Sequence, residues 1–542
     1  MTNRLYYGDN LDVLRDHVRT ESVDLVYLDP PFNSNATYNV LFKSPTGAGA
    51  DASIEAFDDT WQWGPSASAA LMDIAQSGNH KLHVLMQAMK TAIGENAMMA
   101  YLSMMAVRLV ELHRVLKPTG SLYLHCDPTA SHHLKLVLDA VFGQENFVNE
   151  IIWKRTTAKS DFAQGAKNWP RVHDVVLMYY KDSRQERVFE QPFQSFDDTY
   201  VNSKYRSVDT DGRRYMLDNL TAPGAGSRGH PSYEFLGVTR FWRYNKEKMQ
   251  RLYEEGRVIQ PSAGAVPRYK RYLDEMKGIP VGDVWVDIPA INSQAQERLG
   301  YPTQKPIALL ERIIRASSNE GDVVLDPFCG CGTAVDAAQK LGRRWIGIDI
   351  THLAIGMIEK RLRDGYGEDV QFETIGVPKD WASAKKLAAD DPHQFQHWAC
   401  WQVGGYPWMG GKKGGDKGVD GYFNYLGPGG SIEMGVISVK AGDNVNPGMV
   451  RDLGRVMERD GHKLGLFLSA ALPTKGMEAE ATSHGLVETE FGRFPKLQIF
   501  TLAELFQGKR PQLPPVLSPN KKAARVETRA THKPGAQRGL DL

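Results

Sequence analysis

The chain has 542 residues, 42% hydrophobic and 24% charged, with a formal net charge of +1. That length exceeds one ordinary core, so two or three domains are expected. No segment is apolar for long enough to span a bilayer. The N-terminal MTNRLYYGDNLDVL lacks a signal-peptide h-region, so the expectation is a cytoplasmic protein away from membranes.

In chain order, the apolar run Val23–Leu28 predicts a first strand. The stretch from Phe42 to Gly94 is poor in strand signal and reads as a loop and helix insertion. A helix is predicted over Tyr101–Leu116 and a strand over Ser121–His125, with Lys117-Pro118-Thr119-Gly120 as the break between them. From 155 to 300 Arg, Lys and aromatics interleave with Gly and Pro. Residues 201–275 hold 14 Lys and Arg against 9 Asp and Glu. The α/β pattern then returns, with helices at Ile307–Ser317, Thr333–Leu341 and Ala354–Leu362 and strands at Val323–Leu325 and Trp345–Ile348. A polar join follows at 366–385, then an alternating segment at 386–508. The tail from about 509 is rich in Lys, Arg and Pro and is expected to be disordered.

The four cysteines, Cys126, Cys329, Cys331 and Cys400, form no CxxC pair and no zinc-spaced cluster. Cys329 and Cys331 flank a glycine in a turn, where small size is their expected merit.

Two strand tips carry the chemistry. VDLVYLDPPFN places an apolar strand before Asp29-Pro30-Pro31-Phe32, and GDVVLDPFCGCGT places another before Asp326 and a Gly-rich turn. In an open parallel sheet, ligands bind beyond the carboxyl ends of strands, so these tips predict one cleft. In the turn, Gly330 and Gly332 let the backbone approach a ligand as the chain enters a helix at Thr333. No Gly-Lys-Ser/Thr follows, which excludes a P-loop; a dinucleotide fold stays open at this point. Asp349, after the strand WIGI, is placed to accept from ribose hydroxyls.

The first tip is more specific. The lone pair of an exocyclic base amine is conjugated into the ring, so the amine is a poor nucleophile. Two acceptors on its N–H groups turn that lone pair toward an electrophile. Asp29 offers a carboxylate oxygen and Pro30 its carbonyl, with Pro31 restricting the Pro30 backbone. Phe32 offers a face on which an extruded base stacks, for roughly 1–3 kcal/mol, comparable with the few kcal/mol needed to unstack it. The bland alternative is a Pro-rich turn closing a strand.

At these residues the chain resembles the amino-group (N6-adenine/N4-cytosine) DNA methyltransferases over about residues 4–365. DPPF comes first, a variable region next and FCGCGT last, as in the β-class. Gly8-Asp9-Asn10 resembles the family segment whose Asp meets the cofactor adenine. Tyr301-Pro302-Thr303-Gln304-Lys305-Pro306 resembles the segment beside the cofactor's methionine end. The resemblance implies a Rossmann-like, seven-stranded, circularly permuted S-adenosylmethionine-dependent methyltransferase fold with no metal. It further implies direct transfer without a covalent enzyme intermediate. Asp9, Gln304, Lys305, Asp326, Phe328, Gly330, Gly332, Thr333 and Asp349 are the implied cofactor residues. Asp29, Pro30, Pro31 and Phe32 are the implied catalytic ones. Many relatives have Tyr where this chain has Phe32. The leading Asp favours adenine N6 over cytosine N4.

On this reading 1–154 is the catalytic half, 155–300 a target recognition region and 301–365 the cofactor half. Arg213, Arg214, Arg240, Arg243, Lys270 and Arg271 are the candidate contacts to double-stranded DNA, since Arg and Lys neutralise phosphates. For any single one of them, a solvated charge over an aromatic core is the alternative.

Residues 386–508 resemble Mrr-like restriction endonuclease domains, with Phe395, Gln396 and Trp398 matching the opening helix. Asp420 and Lys440 stand where such domains hold a Mg²⁺ ion and an attacking water. Ser438 departs from the usual Glu or Gln, with Glu433 or Asp416 as substitutes. A domain that cuts, fused to a methyltransferase, would imply a restriction-modification setting; a degenerate nuclease fold kept for DNA binding or partner contacts, or an unrelated α/β domain, are the alternatives. Resemblance to the methyltransferases, which often dimerise, implies a homodimer, and a restriction subunit is a further candidate partner. Two rivals stay open: a nuclease that uses the first domain for recognition, and a non-catalytic DNA-binding module.

Overall fold

The structure is a computed structural model describing residues 2–31, 37–41, 53–58, 62–157, 167, 169–222, 229–292, 295, 297–299, 301, 303–407 and 418–517. Phe32, Pro302 and Asp416 lie outside the described residues, as does the tail from 518.

A central sheet organises the first 375 residues. Its strands are β1 (Arg4–Tyr7), β2 (Val23–Leu28), β3 (Leu116–Cys126), β4 (Phe147–Lys154), β5 (His173–Tyr180), β6 (Val284–Trp285), β7 (Val323–Asp326), β8 (Arg344–Asp349) and β9 (Glu373–Ile375). Their spatial order is β6-β4-β5-β3-β2-β7-β8-β1-β9. Only β5 runs antiparallel to its neighbours; the other pairs are parallel. Seven strands were expected, and the sheet has nine among the described residues because two short strands, β6 and β9, extend its edges.

β2 and β7 read as largely apolar runs, with Asp24 the exception in β2, as is usual for strands covered on both faces of a parallel sheet. They lie side by side, with Val324 opposite Leu25 and Leu325 opposite Val26. Two tips about 300 residues apart in sequence therefore emerge next to each other.

Three expectations are corrected here. Residues 117–120 do not break the strand; β3 starts directly after the helix Ala97–Val115. The pairing jumps from Val23↔Leu116 to Leu25↔Ser121, and this irregularity absorbs Pro118 and Gly120. Within the stretch from 42 to 94, Ser53–Asp58 pairs as a strand with Thr37–Leu41, ahead of two helices, Pro65–Gln76 and His80–Ile93. β5 falls inside 155–300 yet belongs to the central sheet. The compact unit that separates from the rest is Gln191–Gly282.

That unit holds a four-stranded sheet in the order Val258–Ile259, Arg268–Tyr272, Arg214–Asn219, Ser207–Val208. Trp242, Phe235, Met249 and Val258 form its core.

The C-terminal part begins with the helices Trp381–Asp390 and Pro392–Gln402. Its sheet runs Tyr406–Pro407, Gly421–Leu426, Ile432–Lys440, Gly465–Ser469, Leu497–Thr501. Ala384 and Ala388 of the first helix are buried in its core, so the polar join ends before 381. Val516 and Leu517 pair with Tyr425 and Asn424; the start of the expected disordered tail is thus part of the sheet. Among the described residues, no helix is long and apolar enough to cross a membrane.

Candidate active site

A cavity of about 690 Å³ opens at the tips of β2 and β7. Asp9, Asp29, Pro30, Pro31, Gln304, Lys305, Asp326, Phe328, Gly330, Thr333 and Asp349 all line it. The two turns singled out in the sequence thus share one space, and its size suits a small-molecule ligand.

Asp29 follows the last residue of β2. Its Oδ2 accepts from Lys305 Nζ at 2.5 Å, and the two side chains are 15% and 10% exposed. Its Oδ1 is buried and has no hydrogen-bond partner among the described residues. A buried acceptor without a donor costs about 1–3 kcal/mol, which a bound N–H would offset. Lys305, expected to serve the cofactor, lines the cavity and in addition neutralises Asp29. Gln304 was also assigned to the cofactor. It lines the cavity, and its amide donates to the Glu297 carbonyl and accepts from the Leu299 N–H, holding the turn that leads to Tyr301.

The Gly turn leaves β7 at Asp326, whose Oδ1 accepts from the Phe328 N–H at 3.0 Å. Burial pushes the Asp326 carboxyl up. Gly330 has φ +49°, and a Cβ there would sit 3.2 Å from the Tyr301 ring. Its N–H donates to Asp349 Oδ2 at 2.9 Å, while Asp349 Oδ1 accepts from the N–H and hydroxyl of Thr351. Burial raises Asp349 to about 6, against those hydrogen bonds.

Gly332 does not line the cavity. It precedes the helix Thr333–Lys340 with φ +78°, and a Cβ there would lie 2.6 Å from Ile358 Cγ1. Its role is close packing behind the turn. The turn is also braced by Arg361, 4% exposed, which pairs with Asp336 at 2.7 Å and donates to the Cys331 carbonyl. Cys329 and Cys331 are buried, and burial raises both thiols.

Asp9 caps the helix Asn10–His17 by accepting from the Leu11 N–H. Arg108 grips it with bonds of 2.8 and 2.9 Å and also donates to Asn10 Oδ1. Sequence reasoning missed Arg108. Its signal was an Arg in the apolar first three turns of the helix AMMAYLSMMAVRLVELHRV, since such a charge needs a partner. It also missed Tyr27, which lines the cavity. The Tyr27 hydroxyl lies 2.9 Å from His125 Nδ1, and His125 Nε2 lies 3.2 Å from Asp174. All three are buried.

Within 191–282, three of the six proposed DNA contacts are spent internally. Arg213 pairs with Asp274 and Glu275 and lies over Tyr272; Lys270 pairs with Asp209 and Arg271 with Asp218. Arg214 donates to the Tyr205 carbonyl. Arg240 and Arg243 are exposed.

In the C-terminal part, Asp420, Ser438 and Lys440 do converge. Asp420 Oδ2 accepts from the Ser438 hydroxyl, the Val439 N–H and Lys440 Nζ; its Oδ1 accepts from Gln396. Glu433 is no substitute ligand. It accepts from Tyr425 and pairs with Lys463, five residues along the strand from Ser438 and so roughly 17 Å away. Among the described residues, no group of three His, Cys, Asp or Glu is arranged to hold a metal. With four donors already on its two oxygens and no such group around it among the described residues, Asp420 as placed here does not fit a Mg²⁺ site.

A DNA methylase family profile (N6_N4_Mtase) matches residues 23–360, more than half of the chain. The chain belongs to this family. Among curated proteins it is similar to the type II methyltransferase M.EcaI of Enterobacter cloacae, with 32% identity over 55% of this chain and 65% of that protein. It is also similar to the StyLTI Mod subunit of a type III restriction-modification enzyme of Salmonella typhimurium, 26% identical over 62% of this chain and 50% of that protein. A third relative is the DNA adenine methyltransferase YhdJ of Escherichia coli, 26% identical over 66% of this chain and 82% of that protein. The chain thus spans less than two thirds of the length of the first two.

Proposed function

We propose that this chain is a DNA methyltransferase that moves a methyl group from S-adenosylmethionine to adenine N6. The observation that carries the reading is Asp29. One carboxylate oxygen is held by Lys305; the other is buried without a hydrogen-bond partner among the described residues, on a residue that lines the shared cavity.

The cavity residues fit the methyl donor. Its volume lies in the range of small-ligand sites, and Gly330 leaves a space at Tyr301 that a Cβ would fill. Asp9, Asp326, Phe328, Gly330, Thr333 and Asp349 would hold it, with Asp349 accepting from ribose hydroxyls. When bound, it supplies an electrophilic methyl on a sulfonium.

The rest is work for this chain's own residues. Asp29 Oδ1 accepts one N–H of the target amine and the Pro30 carbonyl the other, which turns the amine's lone pair toward the methyl. Phe32 supplies the stacking face for the extruded base. Asp29 need not be a strong base, because the amine becomes acidic as it gains the methyl; Oδ1 then takes the proton it sheds.

The leading Asp of the DPP turn supports adenine, as does similarity to a protein named as a DNA adenine methyltransferase. Cytosine N4 is the alternative. The motif order, with the DPP turn before the Gly turn, is read as a circular permutation. Unit 191–282 is assigned to target recognition through Arg240 and Arg243. The similarity to type II and type III modification proteins supports a restriction-modification setting, with double-stranded DNA as substrate and a homodimer or a restriction subunit as partner. Filter-binding of tritiated methyl groups to unmethylated DNA tests the activity. Transfer that persists in Asp29→Asn contradicts the role given to Oδ1.

An endonuclease-like reading of 386–508 is second, favoured by the convergence of Gln396, Asp420, Ser438 and Lys440. We derive no cleavage step from it. Cutting of unmethylated DNA with added Mg²⁺, abolished in Lys440→Ala, would establish it.

A further inference from the structure

The segment that carries Asp349 is held from behind by the C-terminal part of the chain. Asp349 is fixed at both oxygens, one by the Gly330 N–H and the other by Thr351. Thr351 in turn caps the helix His352–Tyr366 by accepting from the Ala354 N–H. The N–H of His352 donates to Gln394 Oε1 at 3.3 Å, and Gln394 belongs to the helix Pro392–Gln402. The His352 ring stacks on Tyr7 at 3.7 Å.

One turn further on, Gly356 abuts the indole of Trp401; a Cβ there would sit 3.1 Å from Trp401 Cδ2. Leu353 and Met357 then pack in one cluster with Tyr301, Cys331 and Tyr406, and Trp401 lies against it. Tyr301 and Cys331 line the cavity; Tyr406 and Trp401 come from the C-terminal part. The same helix also supports the Gly turn from its far side, through Ile358 behind Gly332 and Arg361 on the Cys331 carbonyl. His352 and His397 are both buried at this contact, and burial pushes both down to about 3.

We propose that the C-terminal domain is a positioning arm of the cofactor site, with Gln394, Trp401 and Tyr406 as its positioning residues. It sets the placement of Asp349 and Tyr301 without touching the ligand, and it rests on the cofactor reading above. A ligand that needs Asp349 and Tyr301 in place binds better when the arm is docked. By linkage, that ligand tightens the docking by the same factor. The arm then has a function in methyl transfer that is independent of any nuclease chemistry at Asp420.

The test uses the full chain and S-adenosylhomocysteine as the probe, by titration calorimetry. Trp401→Ala is expected to weaken binding about five- to tenfold, a coupling of ordinary size, while Trp401→Phe stays within about twofold. KM for S-adenosylmethionine should rise in Trp401→Ala with kcat at saturation unchanged. Should Trp401→Ala fail to fold, Gln394→Ala removes only one hydrogen bond and is expected to give about a two- to threefold loss. In the wild-type chain, amide exchange across 392–402 should slow on adding the probe. Unchanged affinity in the Trp401 or Gln394 variant, with exchange in 392–402 indifferent to the probe, overturns the inference. A wild-type chain that binds no probe at all overturns the cofactor reading itself, which is a different result.

Discussion

Lys305 Nζ and Asp29 Oδ2 meet at 2.5 Å across 276 residues of sequence. The pair joins the segment after residue 300 to the tip of β2 and leaves Asp29 Oδ1 buried without a hydrogen-bond partner among the described residues. Removing the lysine alone strands a carboxylate that is 15% exposed. Lys305→Met is expected to cost up to about 3 kcal/mol of stability. The double variant Asp29→Asn/Lys305→Met should recover part of that loss, because neither charge is then left without a partner. Urea denaturation of the three variants checks the cycle; additive losses would show that the two side chains do not depend on each other.

If Asp349 holds the ribose as proposed, its ionisation sets a pH limit on cofactor binding. Its carboxyl is raised to about 6 in the folded chain, so the folded state holds that proton more tightly than the unfolded chain does. The stabilisation this gives is fully present below the ordinary carboxylate range and is lost as pH rises through about 6. On the proposed contact ligand binding runs the other way, since ribose hydroxyls would donate to the ionised form. Affinity for S-adenosylhomocysteine should be flat between about pH 7 and 8. Below about 6 it should fall toward about tenfold per pH unit. Calorimetry across this range reads it, and Asp349→Asn should remove the dependence; a flat wild-type profile contradicts the assignment.

Gly332 is a packing residue with a left-handed backbone. Gly332→Ala adds both backbone strain at φ +78° and an overlap with Ile358. The expected cost is about 1–3 kcal/mol, and Ile358→Ala in the same chain should relieve the overlap but not the strain. Thermal melting compares the two; no loss in Gly332→Ala would contradict the packing role.

Within 191–282, exposure separates cations that are free to meet phosphate from those already paired. Arg240→Ala/Arg243→Ala should reduce the salt dependence of DNA binding by a log–log slope of about two. Arg213→Ala, which breaks pairs with Asp274 and Glu275, should lower stability and leave the slope nearly unchanged. Fluorescence anisotropy at several salt concentrations distinguishes them. A larger slope change for Arg213 would reverse the placement of the DNA-facing side.

The central strands and the two turns were legible in the sequence for a definite reason. β2 and β7 are covered on both faces, so they appear as short apolar runs closed by Asp29 and Asp326. The helix Ile307–Ser317 kept its expected bounds because its apolar face repeats regularly. Pairings between distant charges leave no such periodic trace. Nothing near Lys305 points to Asp29, so the ion pair was not legible. In the basic region the signal was present but unread: Asp209, Asp218 and Asp274 are interspersed with the cations they neutralise. The strand at 116–120 was hidden by Pro118 and Gly120, whose turn chemistry is overridden by pairing at an irregular register.

The central claim is that Asp29 presents an acceptor to the amine of an adenine. Unmethylated DNA treated with the wild-type chain and S-adenosylmethionine can be digested to nucleosides and read by mass spectrometry, beside the same reaction with Asp29→Ala. The account predicts N6-methyladenine from the wild-type chain and none from the variant. N4-methylcytosine in its place, no methylated base, or an undiminished product from Asp29→Ala would contradict it.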